Sequence, residues 1–208
     1  MNSKRGLDLA VAIVFLPLIG LISGFVAILV WATLGRPILF RQERIGLGEK
    51  PFSIIKFRTM VDCAGASGVW ISERDRIGGV GAFLRRTSLD ELPEVVNVLR
   101  GEMSLVGPRP LLPEYLKVYT ARERIRHSIL PGMTGLAQVM GRNCLDWDER
   151  LAKDIEYVEK QSFLFDLYIL ARTVLVVVSG YGVNDRTGCP MKSLTEFRSP
   201  KSTTSERP

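Results

Sequence analysis

The chain has one histidine, three scattered cysteines and no charged side chain between residues 9 and 34. Each scarcity excludes something. A lone His127 rules out any mechanism that needs two imidazoles, and within "ARERIRH" it reads as a surface residue of a solvated basic stretch. Cys63, Cys144 and Cys189 are odd in number, far apart and in no C-x-x-C spacing. They form neither a disulfide framework nor a zinc site and read as reduced thiols of a protein facing the cytoplasm. Acid is the scarcer sign, with 22 Asp and Glu against 28 Lys and Arg and a net charge of +6 over 208 residues. That excess fits an anionic partner, which is nucleic acid, a membrane surface or a phosphorylated substrate. No RNA- or DNA-binding motif accompanies the charge, so nucleic acid is not the expected partner. "GGVG" (78–81) lacks the preceding strand and third glycine of a dinucleotide fingerprint and reads as a flexible helix entry. There is no internal repeat, and the length suits one domain of ordinary size. Nothing in the sequence sets an oligomeric state.

What is abundant is apolar and N-terminal. "LAVAIVFLPLIGLISGFVAILVWATL" runs from Leu9 to Leu34. As straight helix its 26 residues measure roughly 39 Å, enough to cross a hydrocarbon core of about 30 Å. The run is too long for a secretory signal peptide, and no A-x-A cleavage site follows. Its flanks are basic on both sides, Lys4 and Arg5 before it and Arg36, Arg41 and Arg44 after it. A spanning helix has one Lys/Arg-rich end, facing the cytoplasm; here both ends ask for the same side. Pro17 removes a backbone donor and bends or breaks a helix. A re-entrant hairpin that dips into one leaflet and returns satisfies both flanks, and the charge symmetry favours it over a single span. Trp31 sits where an interfacial anchor would.

The remainder, 37–197, reads as one continuous unit followed by a polar, disordered tail, 198–208. "ILFRQERIG" and "FSIIKFRTM" are strand-like around "LGEKP", a small β-hairpin in an otherwise mostly α chain. Residues 61–79 read as loop, and "VGAFLRRTS" as a short helix. Leu92, Val95, Val96 and Leu99 recur at helical spacing, led in by Pro93 at the first helical position and stopped at Gly101. "DWDERLAKDIEYVEK" is an amphipathic helix with Leu151, Ile155 and Val158 on one face. "FLFDLYILARTVLVVVSGYG" is interrupted by Asp166 and Arg172 and suits a buried or interfacial helix. Trp70 and Trp147 read as packing residues.

In "SLDELPEVVNVLRGEMSLVGPRP" (88–110), two adjacent carboxylates, Asp90 and Glu91, precede a Pro-led helix. Acidic residues at helix starts are common and worth a few tenths of a kcal/mol. Adjacent carboxylates also raise each other's pKa and call for compensation by arginines, a metal ion or both. Arg85, Arg86, Arg100 and Arg109 lie within about twenty residues, and Arg109 is held between two prolines, Pro108 and Pro110. A carboxylate pair beside a rigid guanidinium is the equipment for handling a diphosphate. A carboxylate can also attack phosphorus directly.

"KFRTM" (56–60), "SLDELPEVVNVLRGEMSLVGPRP" (88–110), "PGMTGLAQVMGR" (131–142) and "KDIEYVEKQSFLFDLYILARTV" (153–174) together resemble the bacterial sugar transferase family, the monotopic phosphoglycosyl transferases that start glycan assembly on a polyprenol carrier. The chain is most similar to the small, catalytic-unit-only form. The resemblance implies a mostly α fold with a re-entrant membrane helix at residues 1–36, hinged at Pro17, and amphipathic helices at the cytoplasmic face of the bacterial inner membrane. It implies transfer of a sugar-1-phosphate from a UDP-sugar to undecaprenyl phosphate, releasing UMP and requiring Mg²⁺. By the same resemblance Asp90 is the nucleophile that carries a covalent phosphosugar, and Glu91 is catalytic and binds Mg²⁺. Lys56, Arg85, Pro108, Arg109, Arg142 and Asp154 surround the substrate. The extension "GVNDRTGCPMKSLTEF" is similar to that of small members acting on N-acetylated amino sugars such as UDP-N,N′-diacetylbacillosamine. Neutral hexoses, and a non-catalytic membrane scaffold, are the alternatives. The chain departs from the usual pattern at Leu16 before the hinge proline, at Glu94 where Gln is common, and at Glu102 and Met140.

Overall fold

The computed structural model describes residues 3–61, 76–141, 145–179 and 193–199. Arg142, the three cysteines, Trp70, most of the glycine-containing loop and nearly all of the C-terminal tail lie outside the described residues. The secondary structure is mostly helical with two small two-stranded sheets.

Helix α1, Ser3–Leu34, holds the whole apolar run and has Pro17 inside it. Where a broken hairpin was one expectation, helical structure continues through the proline. The segment is the one described helix long and apolar enough to cross a membrane. One stripe packs on the domain: Ala12 and Ile19 against Ile54, Val95 and Met103, then Val26 and Val30 against Phe57 and Leu84. The opposite stripe is open, with Val14, Leu18, Leu21, Phe25, Ile28 and Trp31 each more than half exposed. Both ends are tied to the same domain. Lys4 Nζ lies 2.9 Å from Tyr157 Oη and pairs with Asp166, and Arg5 donates to the carbonyls of Val98 and Leu99. At the other end Arg58 donates to the Leu34 and Arg36 carbonyls. Both ends of α1 therefore make hydrogen bonds to the same domain.

β1, Leu39–Ile45, pairs antiparallel with β2, Pro51–Phe57, in the expected hairpin. Alternation puts Phe40, Gln42 and Arg44 opposite Lys56, Ile54 and Phe52 on one face. The outer edge of β2 is not left bare. The buried Asn97 side chain accepts from Ile55 N at 3.2 Å and donates to Ser53 O at 2.7 Å, reproducing a strand's bonding with one amide.

α2, Gly79–Thr87, ends at Ser88 in the left-handed region, φ 57°. The chain restarts at once as a 3₁₀ turn, Leu89–Glu94, and continues as α3, Val95–Arg100, closed by Gly101 at φ 83°. Pro93 is thus inside the 3₁₀ turn rather than first in the helix, and the carboxylate pair is within that turn rather than before it. β3, Ser104–Val106, pairs in parallel with β4, Gly132–Thr134. Between them run two more 3₁₀ segments, Pro113–Lys117 and Glu123–Ser128.

α4, Leu136–Met140, leads to α5, Trp147–Lys160, which opens with a full capping box between Asp146 and Glu149. Trp147 packs edge-on against Tyr115, the packing role expected of it. α6, Phe163–Ser179, buries Asp166, Ile169 and Val176 and exposes Phe163, Leu164, Leu167, Val174, Leu175 and Val178. This second open apolar face accords with an interfacial helix. A short helix α7, Leu194–Arg198, returns to seat Leu194 among Leu111, Tyr115, Trp147 and Leu151.

Candidate active site

Three elements deliver the charged groups. The 3₁₀ turn after α2 carries Asp90, Glu91 and Glu94; β2 presents Lys56; the Gly-Pro-Arg-Pro turn after β3 presents Arg109. Glu91 Oε1 receives both cations, with Lys56 Nζ and Arg109 Nη2 each 2.6 Å away. Lys56 Nζ also lies 3.1 Å from Glu94 Oε1, bridging two acids of the turn. Asp90 and Glu94 are both buried.

The three acids share one turn and yet titrate differently. Burial, and then the charge of Glu91, push the Asp90 carboxyl up to about 6 against the pull of Lys56, Arg109 and Arg85. Burial alone would raise Glu91 too, but contact with Arg109 and Lys56 outweighs it and holds Glu91 far below the carboxylate range. Glu94 is raised to about 7 by burial and Glu91. Arg109 is in turn held above its ordinary range by Glu91. The outcome at neutral pH is a fixed anion, Glu91, beside an ionised but unusually basic Asp90. That pair of environments is what separates a charge-stabilising carboxylate from a reactive one.

Arg85 donates Nε–H to Thr59 Oγ1 at 2.9 Å, and its charge is felt at Asp90. Pro108 is buried, and its carbonyl accepts from Gly132 N at 3.0 Å. Its visible work is to fix the turn that presents Arg109. Gly107 N also donates to Thr134 O at 2.9 Å, so both residues before Arg109 are bonded to β4.

Asp154 lies below this surface rather than at it. It is 1 % exposed and paired with Arg126 through Nη2 at 2.7 Å and Nε at 3.1 Å. The same Arg126 Nη2 donates to the backbone carbonyl of Arg109. Asp154 orients Arg126, and Arg126 holds the turn that presents Arg109. The basic stretch "TARERIRHS", expected as a solvated face, is only partly so: Glu123, Arg126 and His127 are buried. Its 3₁₀ period of three stacks Glu123 and Arg126 on the inward side. His127, expected at the surface, is pushed down to about 4 by burial and the Arg126 charge, and is a neutral packing residue at physiological pH. Arg126 is the site residue the sequence reading missed. A signal for it existed, since Asp154 shares the apolar face of Leu151 and Ile155, where a carboxylate demands a cation.

The model of the family described as "Bacterial sugar transferase" matches residues 1–180. The chain belongs to the bacterial sugar transferase family. It is 43% identical over 183 residues to the "Uncharacterized sugar transferase EpsL" of Bacillus subtilis, covering 88% of this chain and 91% of that one. It is 42% identical to the "UDP-glucose:undecaprenyl-phosphate glucose-1-phosphate transferase" of Caulobacter vibrioides, over 82% of this chain and 68% of the relative. The "UDP-N-acetylgalactosamine-undecaprenyl-phosphate N-acetylgalactosaminephosphotransferase" of Aeromonas hydrophila is 32% identical over 86% of this chain and 44% of its own length. The sugar transferase family thus holds proteins of the whole size of this chain and longer ones in which it corresponds to less than half.

Among the described residues no three acidic, histidine or cysteine side chains converge as a metal-holding group. The donor set still fits Mg²⁺ shared with a diphosphate, because that ion commonly takes one or two carboxylates and completes its shell with phosphate oxygens and water. Glu91 has Oε2 beyond the cation-bound Oε1.

Proposed function

We propose that the protein moves a sugar-1-phosphate from a UDP-sugar to undecaprenyl phosphate at the cytoplasmic face of the bacterial inner membrane, as the first membrane step of glycoconjugate synthesis. The observation that carries the reading is the paired environment of Asp90 and Glu91 in a member of this family. In the first half-reaction an Asp90 carboxylate oxygen attacks the sugar-bearing phosphorus, and the phosphorus–oxygen bond to UMP breaks. UMP departs with that electron pair, and the phosphosugar is esterified to Asp90. In the second, an oxygen of the lipid phosphate attacks the same phosphorus, the bond to Asp90 breaks and the carboxylate is restored.

Lys56 and Arg109 hold Glu91 ionised and stand where charge accumulates on the leaving phosphate. Arg85 and Arg142 add cations from either side of the turn in sequence. Mg²⁺, held by Glu91, supplies charge neutralisation of the diphosphate when bound.

α1 is read as a re-entrant membrane helix: its open stripe enters the leaflet while both tied ends stay with the domain. Labelling Asn2 and Lys50 positions from one side of sealed vesicles tests this, and opposite sidedness would overturn it. The finer proposal for the sugar is an N-acetylated amino sugar, with glucose or galactose as the second reading, since the named relatives include both kinds. Purified protein supplied with undecaprenyl phosphate, Mg²⁺ and each member of a UDP-sugar panel should release UMP with one of them. EDTA should stop the release. With UDP-sugar alone, the polypeptide mass should rise by one phosphosugar, and not in Asp90→Asn. Undiminished release from Asp90→Asn overturns the covalent route.

A further inference from the structure

Helix α7 lies beyond residue 180, where the family match ends. Its two attachments fall on the elements that hold Arg109 in place. The first is apolar. Leu194 is fully buried in a cluster with Leu111, Tyr115, Tyr119, Trp147 and Leu151. Leu111 comes two residues after Arg109, and the Tyr119 ring centroid lies 5.8 Å from the Arg126 guanidinium. The second attachment is polar. The Arg198 guanidinium donates to Glu123 Oε1 at 2.6 Å and Oε2 at 3.0 Å, to Asp148 Oδ1 at 2.8 Å and to the Val118 carbonyl at 3.2 Å. The two parallel bonds to Glu123 use the planar fork that a lysine lacks.

These bonds repeat a pattern found deeper in the protein. Glu123 and Arg126 stand three residues apart in one 3₁₀ segment, and Asp148 and Asp154 are both on α5. Arg126 ties the segment to α5 through Asp154 and also donates to the Arg109 carbonyl. Arg198 ties the same segment to the same helix through Glu123 and Asp148. The seam therefore has an inner cross-tie that touches the Arg109 turn and an outer one supplied by α7. Packing alone does not close the seam between them, because a cleft of about 500 Å³ borders it, lined in part by Glu123, Asp148, Leu151 and Ile155. Without Arg198, the carboxylates of Glu123 and Asp148 would lose the cation that bridges them, and like charges repel.

We propose that Arg198 is a positioning residue for the transfer reaction: by closing the outer end of the seam it keeps Arg126 on the Arg109 carbonyl, so that α7 acts as a strap on the turn presenting Arg109. This rests on the role given to Arg109 in the function proposed above. Arg198 acts through the placement of that turn and not by touching substrate.

Two backbone amides report on the turn without any reaction. Gly132 N donates to Pro108 O and Ile45 N to Leu111 O, each at 3.0 Å. At the far end of the hairpin, Arg58 N donates to Ile38 O at 2.9 Å and serves as the internal reference. Amide-resolved hydrogen exchange on full-length, detergent-solubilised protein compares wild type with Arg198→Gln. Exchange at Gly132 and Ile45 should rise at least threefold while Arg58 stays within twofold. In UMP-release assays kcat/KM for the UDP-sugar should fall at least fivefold, and Arg198→Lys should fall between the two. Exchange at Gly132 and Ile45 within twofold of wild type overturns the strap. An equal rise at Arg58 also overturns it, since that marks general loosening. Faster exchange with kcat/KM unchanged removes the positioning role. Absence of UMP release by the wild-type chain from every UDP-sugar sinks the proposed function instead, and the exchange comparison still decides whether Arg198 holds the turn.

Discussion

Two ion-pair centres lie one above the other in this protein and are built on opposite principles. The lower one, Arg126 with Asp154, is closed: each side chain is 2% exposed, and the guanidinium completes its bonding on the Arg109 carbonyl. The upper one, Lys56–Glu91–Arg109, is nearer the surface, with Arg109 36% exposed and two cations on one carboxylate oxygen. The closed centre is satisfied by the chain alone and gives the turn a fixed geometry. In the proposed reaction the open centre offers its charges to the substrate, and its acids are driven apart in pKa. What distinguishes structural from functional charge here is whether the chain itself supplies the last partner.

The largest break in that comparison is Asp90→Asn, expected to lower turnover by at least about 10³-fold, roughly 4 kcal/mol of activation, measured as UMP release. In the wild-type chain, formation of the phosphosugar adduct should fall away as the pH drops through about 6, where Asp90 takes up a proton. A single-turnover pH series reads that limb directly.

Breaking the closed centre comes next. Asp154→Ala strands a buried guanidinium and should cost about 3–5 kcal/mol in chemical denaturation. The double variant Arg126→Met/Asp154→Leu should return most of that stability. Its turnover should stay low, because the Arg109 carbonyl has lost its donor. If activity returned with stability, the lower centre would be packing and nothing more.

Gly132 tests the link between the centres and the parallel pair. A Cβ there would stand 2.0 Å from Gly107 N and 2.4 Å from Thr134 O. Gly132→Ala should therefore force the strands apart, costing about 2–3 kcal/mol, and weaken UDP-sugar binding through Arg109.

Asp90→Asn should also stabilise the fold by about 1–3 kcal/mol. The folded-state pKa is raised, so ionised Asp90 destabilises the native state. The gain is full above about pH 6 and vanishes below the unfolded value of 3.8, which melts at pH 8 and pH 3.5 would compare. The smallest effect is Asp146→Ala, which deletes the cap on Glu149 N at 2.8 Å and should cost about 1 kcal/mol, with turnover unchanged.

Local chemistry made much of this legible beforehand. The hairpin follows from alternation around "LGEKP", α5 from its apolar spacing, and the end of α3 from Gly101. The dyad and Arg109 stood out because adjacent carboxylates and a proline-locked arginine are conspicuous in any chain. The β3–β4 pair was not legible, because three-residue strands carry no periodic signal and their partners are far apart in sequence. Arg126 was hidden for a related reason: its inward side belongs to a 3₁₀ period of three, and a basic run read without that period looks solvated.

The amino-acid sequence alone determined the class of protein: an apolar segment with like-charged ends, a helical catalytic unit, and acids and arginines of a diphosphate chemistry. Those traits are written in composition, spacing and short motifs, which act over a few residues. Only the tertiary structure decided which cation meets which acid, and that Asp154 supports the site from beneath it. Such choices depend on burial and on contacts between distant segments, because a charge's pKa and its partner are set by what the folded chain packs around it.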